Sequence, residues 1–109
     1  MAKVRFITLE KLLEMRENDE PFTLVDTLPE DTFADGHIPG AINIPSDEIV
    51  QQAAERIDKD KPVVTYCVGY ACPASTVAAR KLLDTGYTEV LDFKGGTDVW
   101  TEAGLDLET

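Results

Sequence analysis

The sequence predicts an α/β fold with a mainly parallel central sheet flanked by helices on both faces. Segments with strand character alternate along the chain with segments of helical periodicity, and the connections between them are short. An apolar segment at residues 62–66 has the character of a short buried strand. The 109 residues, 43% hydrophobic and 28% charged, suit one domain over residues 1–109 with its own core.

The first half of the chain predicts three strands and three helices. The strands are expected at residues 3–7, at or near a sheet edge, and at 22–26 and 41–44. The helices are expected at residues 9–16, 29–34 and 47–57. Thr8 and Ser46 precede the first and third of these helices and are expected to cap them.

The second half continues the alternation with two strands and two helices. The strand at 62–66 leads into a helix over 73–85, which Gly86 is expected to end. A strand at 88–92 follows, and Thr97 is expected to cap a last helix that runs to residue 103.

The charge is strongly acidic, with 21 Asp and Glu residues against 10 Lys and Arg residues and a net charge of −11. Such a surface repels nucleic acid and anionic membranes, and it slows small anions unless the site is locally positive. It fits a solvated surface that maintains solubility, or a face that docks a basic protein. The sequence contains no apolar run of about 20 residues and no secretory signal at its start, so a cytoplasmic protein is expected.

The most reactive segment is predicted at residues 66–73, which read Tyr-Cys-Val-Gly-Tyr-Ala-Cys-Pro. Cys67 follows a strand and precedes a tight loop and a helix, so loop amides and the helix dipole are expected to favour its thiolate. Cys72 lies five residues further along, which argues against two unrelated core cysteines. The pattern predicts a cysteine nucleophile.

Three polar segments are predicted at the carboxyl ends of strands, where parallel α/β sheets bind their ligands. They are Asp26, Cys67 and the loop at residues 94–96. The sequence alone does not place these three strand ends side by side.

Several motifs together resemble the rhodanese-like domain family. Residues 35–45 read Asp-Gly-His-Ile-Pro-Gly-Ala-Ile-Asn-Ile-Pro, and the loop after Cys67 is similar to the active-site loop of that family. The closing part of the resemblance comprises residues 86–90, residues 94–96, Trp100 and residues 103–104. The motifs occur in the family's order and span nearly the whole chain.

The resemblance implies the family's three-layer fold and a sulfurtransferase that needs no metal or organic cofactor. Cys67 would take sulfane sulfur from a small-molecule or protein persulfide donor, hold it as a persulfide, and pass it to a thiol or other thiophilic acceptor. The backbone amides of the loop would cradle the thiolate and then the persulfide anion. Those amides belong to Val68, Gly69, Tyr70, Ala71 and Cys72.

The sequence differs from the pattern of the family at three places, and these differences narrow the expected donor, chemistry and pocket. The loop between Cys67 and Pro73 contains no Arg or Lys, which argues against thiosulfate as the physiological donor. The next arginine, Arg80, is well inside a predicted helix, which argues against phosphatase chemistry. Asp26 is followed by Thr-Leu-Pro, so a customary ion pair with arginine is missing or replaced.

Two readings of Cys72 remain open. The Cys-x-Gly-x-x-Cys spacing resembles a subset of the family, in which Cys72 could attack the Cys67 persulfide, expel sulfide and leave a disulfide. Alternatively, Cys72 is a small buried residue at the helix start. A metal site is not expected, because Cys67, Cys72 and His37 are only three candidate ligands without a recognised spacing.

Other candidate residues favour structural roles. His37 is expected to tie a turn to backbone groups, and Trp100 is expected in the core. Gly95 and Gly96 are expected to allow a turn close to the cysteine loop. Tyr70 either faces the incoming substrate or only covers the pocket.

The leading functional hypothesis is therefore a sulfurtransferase acting through a Cys67 persulfide. A non-catalytic rhodanese-like binding module and a redox sensor that cycles a disulfide between Cys67 and Cys72 are the alternatives. The oligomeric state is left open.

Overall fold

A computed structural model describes residues 3–109 of the chain. The prediction about the chain start falls partly on Met1 and Ala2, which lie outside the described residues. The strands are β1 (Arg5–Phe6), β2 (Thr23–Asp26), β3 (Ile42–Asn43), β4 (Val63–Tyr66) and β5 (Val90–Phe93). The helices are α1 (Leu9–Glu17), α2 (Glu30–Asp35), α3 (Ile49–Arg56), α4 (Ala74–Asp84) and α5 (Gly96–Glu102).

The five strands form one parallel sheet in the order β1-β5-β4-β2-β3. Every residue of β4 and β5 is buried, as expected for inner parallel strands covered on both faces. Strand β1 lies at one edge with both residues exposed, in agreement with its predicted position. The predicted fold class, an α/β fold with a parallel sheet and helices on both faces, is confirmed.

Two apolar clusters cover the two faces of the sheet. One joins α3 and α4 to side chains such as Val25, Val63 and Val90. The other joins α1 and Trp100 of α5 to side chains such as Val64. Successive strand residues point to opposite faces, so neighbours such as Val63 and Val64 belong to different clusters. Both faces therefore hold the carboxyl end of β4 in place.

Thr8 caps α1 as predicted, since its hydroxyl accepts a hydrogen bond of 3.2 Å from the Lys11 amide. The predicted cap at Ser46 is wrong: Ser46–Glu48 form a 3-10 turn after Pro45, without a side-chain cap, and α3 begins at Ile49. The predicted cap at Thr97 is also wrong, because α5 begins at Gly96 and the Thr97 hydroxyl donates to the Val68 carbonyl at 3.4 Å.

Gly86 has a φ of +101°, which suits its predicted place just after α4. No helix among the described residues is both long and apolar enough to span a bilayer.

Candidate functional site

Cys67 lies directly after the last residue of β4, in the middle of the sheet. Residues 67–73 form the loop that leads into α4, which begins at Ala74. This segment is called the cysteine loop below. The arrangement of strand, cysteine, loop and helix is the one that the sequence predicts.

The three polar strand ends are neighbours in the structure. Strand β4 pairs with β2 on one side and β5 on the other, with Tyr66 opposite both Asp26 and Phe93. Asp26 ends β2, Cys67 follows β4, and Lys94 follows β5. The three residues therefore lie at the carboxyl ends of three adjacent strands. The strand order supplies the juxtaposition that the sequence leaves open.

The start of α5 is tied to the cysteine loop by backbone hydrogen bonds. The Thr97 amide donates to the Cys67 carbonyl at 3.1 Å, and the Asp98 amide donates to the Val68 carbonyl at 2.8 Å. Gly96 has a φ of +58°, and a Cβ there would lie 2.7 Å from the Val68 carbonyl carbon and oxygen. A glycine is required at position 96, which confirms the prediction of unusual backbone angles there. Gly95 has an ordinary φ of −63°, so that prediction is wrong for Gly95.

The two thiols lie beside each other. Cys67 is fully buried, and its thiol donates to the Cys72 carbonyl at 3.3 Å and to the Ser75 hydroxyl at 3.5 Å. The Cys72 side chain is half-buried, and its thiol interacts with the Cys67 thiol. The loop therefore places the two thiols within interaction range of each other.

The expectation that the loop favours a Cys67 thiolate is wrong in direction. Burial raises the pKa of the Cys67 thiol above its ordinary value, and the contact with Cys72 raises it further, while the hydroxyl and amide of Ser75 lower it. Burial opposes ionisation of Cys72 as well. The contacts with the Cys67 thiol, the amides of Ala74 and Val68, and the charge of Lys94 outweigh it and lower the pKa of Cys72.

The predicted cradle needs a matching correction. The Cys72 amide donates to the Gly69 carbonyl at 3.0 Å, so it closes the loop instead of facing a sulfur atom. The Val68 amide lowers the pKa of the Cys72 thiol, and the Ser75 amide lowers that of the Cys67 thiol. For Gly69, Tyr70 and Ala71 the role in holding a persulfide stays a prediction.

A shallow pocket of about 270 Å³ opens beside the cysteine loop. It is lined by Val68, Gly69, Ala71, Cys72 and Asp98. Tyr70 is 72% exposed and does not line it. A larger cavity of about 670 Å³ lies beside His37 and α3, away from the cysteines, so cavity size does not mark the site.

The sequence singles out the loop at residues 94–96 but does not predict that the charge of Lys94 acts at the cysteine loop. The Lys94 side-chain amine donates to the Cys72 carbonyl. The loop itself contains no cation, as the sequence shows, but the neighbouring strand end supplies one. The lysine is visible in the sequence at residues 94–96, but its place beside the cysteine loop follows only from the pairing of β5 with β4.

His37 and Trp100 have the predicted structural roles. The His37 ring nitrogen Nδ1 lies 3.0 Å from the Phe33 carbonyl, and the ring stacks on Phe33 at 3.8 Å. Trp100 is 4% exposed, and its indole donates to the Asp106 carbonyl at 2.9 Å. Neither residue lines the pocket beside Cys72.

Asp26 is a buried carboxyl group next to the site. Its Oδ1 accepts from the Leu28 amide at 2.9 Å, and its Oδ2 is buried without a hydrogen-bond partner among the described residues. Burial raises the pKa of Asp26, an effect that the Leu28 amide, the Tyr66 hydroxyl and His37 only partly offset. Within residues 3–109, Asp26 forms no ion pair with Arg or Lys.

Replacing Asp26 by Asn is expected to stabilise the protein near neutral pH by about 1–2 kcal/mol. A raised pKa means that the folded state binds the proton more tightly, so the wild-type protein loses stability as pH rises from the unfolded pKa through the folded one. The Asn variant should lack that loss, and urea unfolding at pH 4 and pH 7 measures it. Asp60→Asn removes an exposed carboxylate as the control; an equal pH dependence in wild type and Asp26→Asn would contradict the assignment.

Comparisons of the sequence and of the structure with known proteins both identify the rhodanese-like domain family. The sequence pattern of the rhodanese-like domain matches residues 8–103. The solution structure of the rhodanese-like domain of the Alr3790 protein from Anabaena superposes with a TM-score of 0.84 at 28% identity, covering 97% of this chain and 80% of that one.

Two curated relatives differ in what their names say. The thiosulfate sulfurtransferase GlpE of Shewanella oneidensis is 29% identical over 103 residues, which cover 94% of this chain and 98% of the relative. The HTH-type transcriptional regulator Rv0324 of Mycobacterium tuberculosis is 41% identical over 102 residues, and the match covers 94% of this chain but 44% of the regulator. This chain therefore spans less than half of the regulator's length.

Proposed function

Because the chain belongs to the rhodanese-like domain family, we propose that it is a sulfurtransferase that carries sulfane sulfur as a persulfide on Cys67. The observation that carries the proposal is the position of Cys67, at the carboxyl end of the central strand and at the start of a loop closed by α5. The relative from Shewanella oneidensis that matches over nearly its whole length is named a sulfurtransferase.

The reaction has two displacement steps. The Cys67 thiolate attacks the sulfane sulfur of the donor, a sulfur–sulfur bond forms at Cys67, and the donor's own bond to that sulfur breaks, so the remainder leaves with the electron pair. An acceptor thiolate then attacks the outer sulfur, and Cys67 leaves as a thiolate. Donor and acceptor are a persulfide and a thiol, each on a small molecule or a protein.

The proton on Cys67 needs an acceptor, because burial keeps this thiol protonated more firmly than an ordinary cysteine. The Cys72 thiol, with its lowered pKa, interacts with the Cys67 thiol and lines the pocket. In its thiolate form Cys72 can take the proton as Cys67 attacks. In this proposal the amides of Gly69, Tyr70 and Ala71 hold the outer sulfur of the persulfide and stabilise its negative charge.

The direct test is catalysis of sulfur transfer. The purified protein is incubated with glutathione persulfide and cyanide, and thiocyanate formation is followed against the uncatalysed rate. We expect saturable catalysis proportional to protein concentration. A rate equal to the uncatalysed one, together with no sulfur bound to the protein, would contradict the proposal and favour the non-catalytic binding module.

The binding module has one observation in its favour. A relative that is 41% identical over nearly all of this chain is named a transcriptional regulator. In this second candidate function the acidic domain docks a partner protein. It predicts that no donor loads Cys67 with sulfur.

The interaction between the two thiols of the cysteine loop supports a third candidate, a dithiol redox pair. Hydrogen peroxide would oxidise the pair to a disulfide with release of two water molecules, starting at the half-exposed Cys72. We therefore expect mild peroxide to remove both free thiols in parallel, measured by thiol titration and by mass under non-reducing conditions. In Cys72→Ser the remaining thiol should react much more slowly. Oxidation of a single cysteine in the wild-type protein would contradict this role.

A further inference from the structure

One charged side chain stands out in the pocket beside the cysteine loop. Of the five described residues that line this pocket, Asp98 alone has a charged side chain. It is exposed, on the first turn of α5, and it shares the pocket with Cys72. The pocket therefore presents a carboxylate to any molecule that approaches the sulfur atoms through it.

The position of Asp98 is fixed by the cysteine loop itself. Its amide donates to the Val68 carbonyl at 2.8 Å, and its carbonyl accepts from the Thr101 hydroxyl at 3.2 Å. The carboxylate lies over Gly69, where an added Cβ would be 2.5 Å from Oδ2 and 3.2 Å from Cγ. The absence of a side chain at position 69 leaves the room that this carboxylate occupies.

The cation of the site is placed differently. Lys94 donates its hydrogen bond to the Cys72 carbonyl and does not line the pocket. Its charge acts on the loop and on the Cys72 thiol, whereas the charge of Asp98 faces the opening. A donor that enters through the pocket therefore meets a negative group on a protein with a net charge of −11.

We propose that Asp98 is a specificity-determining residue that disfavours sulfur donors in proportion to their negative charge. The proposal rests on the proposed sulfurtransferase function. Coulomb repulsion between fixed charges scales with the charge of the donor, so a dianion such as thiosulfate is penalised twice as strongly in free energy as a monoanion. The same residue leaves donors without net charge unaffected.

A donor series of graded charge tests the proposal. Thiosulfate carries two negative charges, methanethiosulfonate carries one, and cysteamine persulfide in its ionised form carries no net charge. With each anion the Cys67 thiolate attacks the outer sulfur, and sulfite or methanesulfinate leaves with the electron pair of the broken sulfur–sulfur bond. The measured quantity is kcat/KM for each donor at low ionic strength, with cyanide as the common acceptor.

In Asp98→Asn we expect kcat/KM for thiosulfate to rise by about threefold to tenfold. The rise should be about the square root of that factor for methanethiosulfonate, and cysteamine persulfide should show no change. Asp98→Glu should restore the wild-type order of donors. Glu102→Gln, one turn further along α5 and outside the pocket, removes the same charge and should change kcat/KM for the three donors far less.

Equal kcat/KM values for thiosulfate in wild type and Asp98→Asn would overturn the proposal, and so would a uniform loss for all three donors. An equal gain in Glu102→Gln would also overturn it, because net charge would then explain the effect. Failure of the proposed function is distinguishable, since no donor would then be turned over by any variant and no sulfur would be bound at Cys67.

Discussion

Cys67→Ser is expected to lower the rate of sulfur transfer by about 10³-fold or more, to the level of the uncatalysed reaction. A serine hydroxyl is far less ionised than a thiol at neutral pH and cannot form a persulfide. No other group in the cysteine loop can replace the nucleophile at the buried end of β4, because the Cys72 thiol lies on the pocket side. The measurement is thiocyanate formation from glutathione persulfide and cyanide at matched protein concentrations.

The substitution should leave the fold intact, since serine is slightly smaller than cysteine. Its hydroxyl can donate to the Cys72 carbonyl or the Ser75 hydroxyl, the two partners of the Cys67 thiol. Cys72→Ser removes the proposed proton acceptor but keeps the carrier, so it should still load one sulfur atom onto Cys67, at a lower rate. A Cys67→Ser protein that unfolds at the wild-type temperature and keeps a tenth or more of the activity would show that Cys67 is not the sulfur carrier.

Gly96→Ala is expected to destabilise the protein by about 3 kcal/mol or more and to lower sulfur transfer severely. Two effects combine at this position. The φ of +58° disfavours any residue with a Cβ, and the added Cβ would overlap the Cys67 and Val68 carbonyl groups. Relief of the overlap requires α5 to move away from the cysteine loop, which lengthens the hydrogen bonds from the Thr97 and Asp98 amides.

Gly104→Ala separates the two effects. Gly104 has a φ of +84°, but a Cβ there would meet no heavy atom within 4 Å. Because only the positive φ opposes an alanine here, this variant should lose about 1–2 kcal/mol of unfolding free energy and should retain its activity. Urea unfolding and kcat/KM measured on both variants give the comparison. Equal losses of stability and activity in the two would mean that the close approach at Gly96 has no special role.

The order of strands and helices could be predicted because it depends on local patterns. The alternation of apolar runs and helical stripes, the hydroxyl of Thr8 and the stop at Gly86 each act over a few residues. The caps predicted at Ser46 and Thr97 were wrong for different reasons, one local in the sequence and one distant. Ser46 enters a 3-10 turn, and Thr97 turns its hydroxyl to a carbonyl of the cysteine loop.

The site was predictable as a motif but not as an electrostatic environment. The position of Cys67 after a strand follows from the sequence, whereas the pKa of its thiol depends on how deeply the sheet buries it. Ser75, on the first turn of α4, contacts the Cys67 thiol. Lys94, just after β5, contacts the Cys72 carbonyl, and Asp98, at the start of α5, lines the pocket. Such contacts depend on strand order and on loop closure, neither of which has a local signal.

Persulfide formation on Cys67 is tested most directly by locating the sulfur on the wild-type protein after exposure to glutathione persulfide. Intact mass spectrometry should show the gain of one sulfur atom, and fragment ions should place it on Cys67. Cyanide treatment should remove it and release an equal amount of thiocyanate. A sulfur atom found only on Cys72, or no gain in mass under conditions in which the donor is intact, would contradict the account.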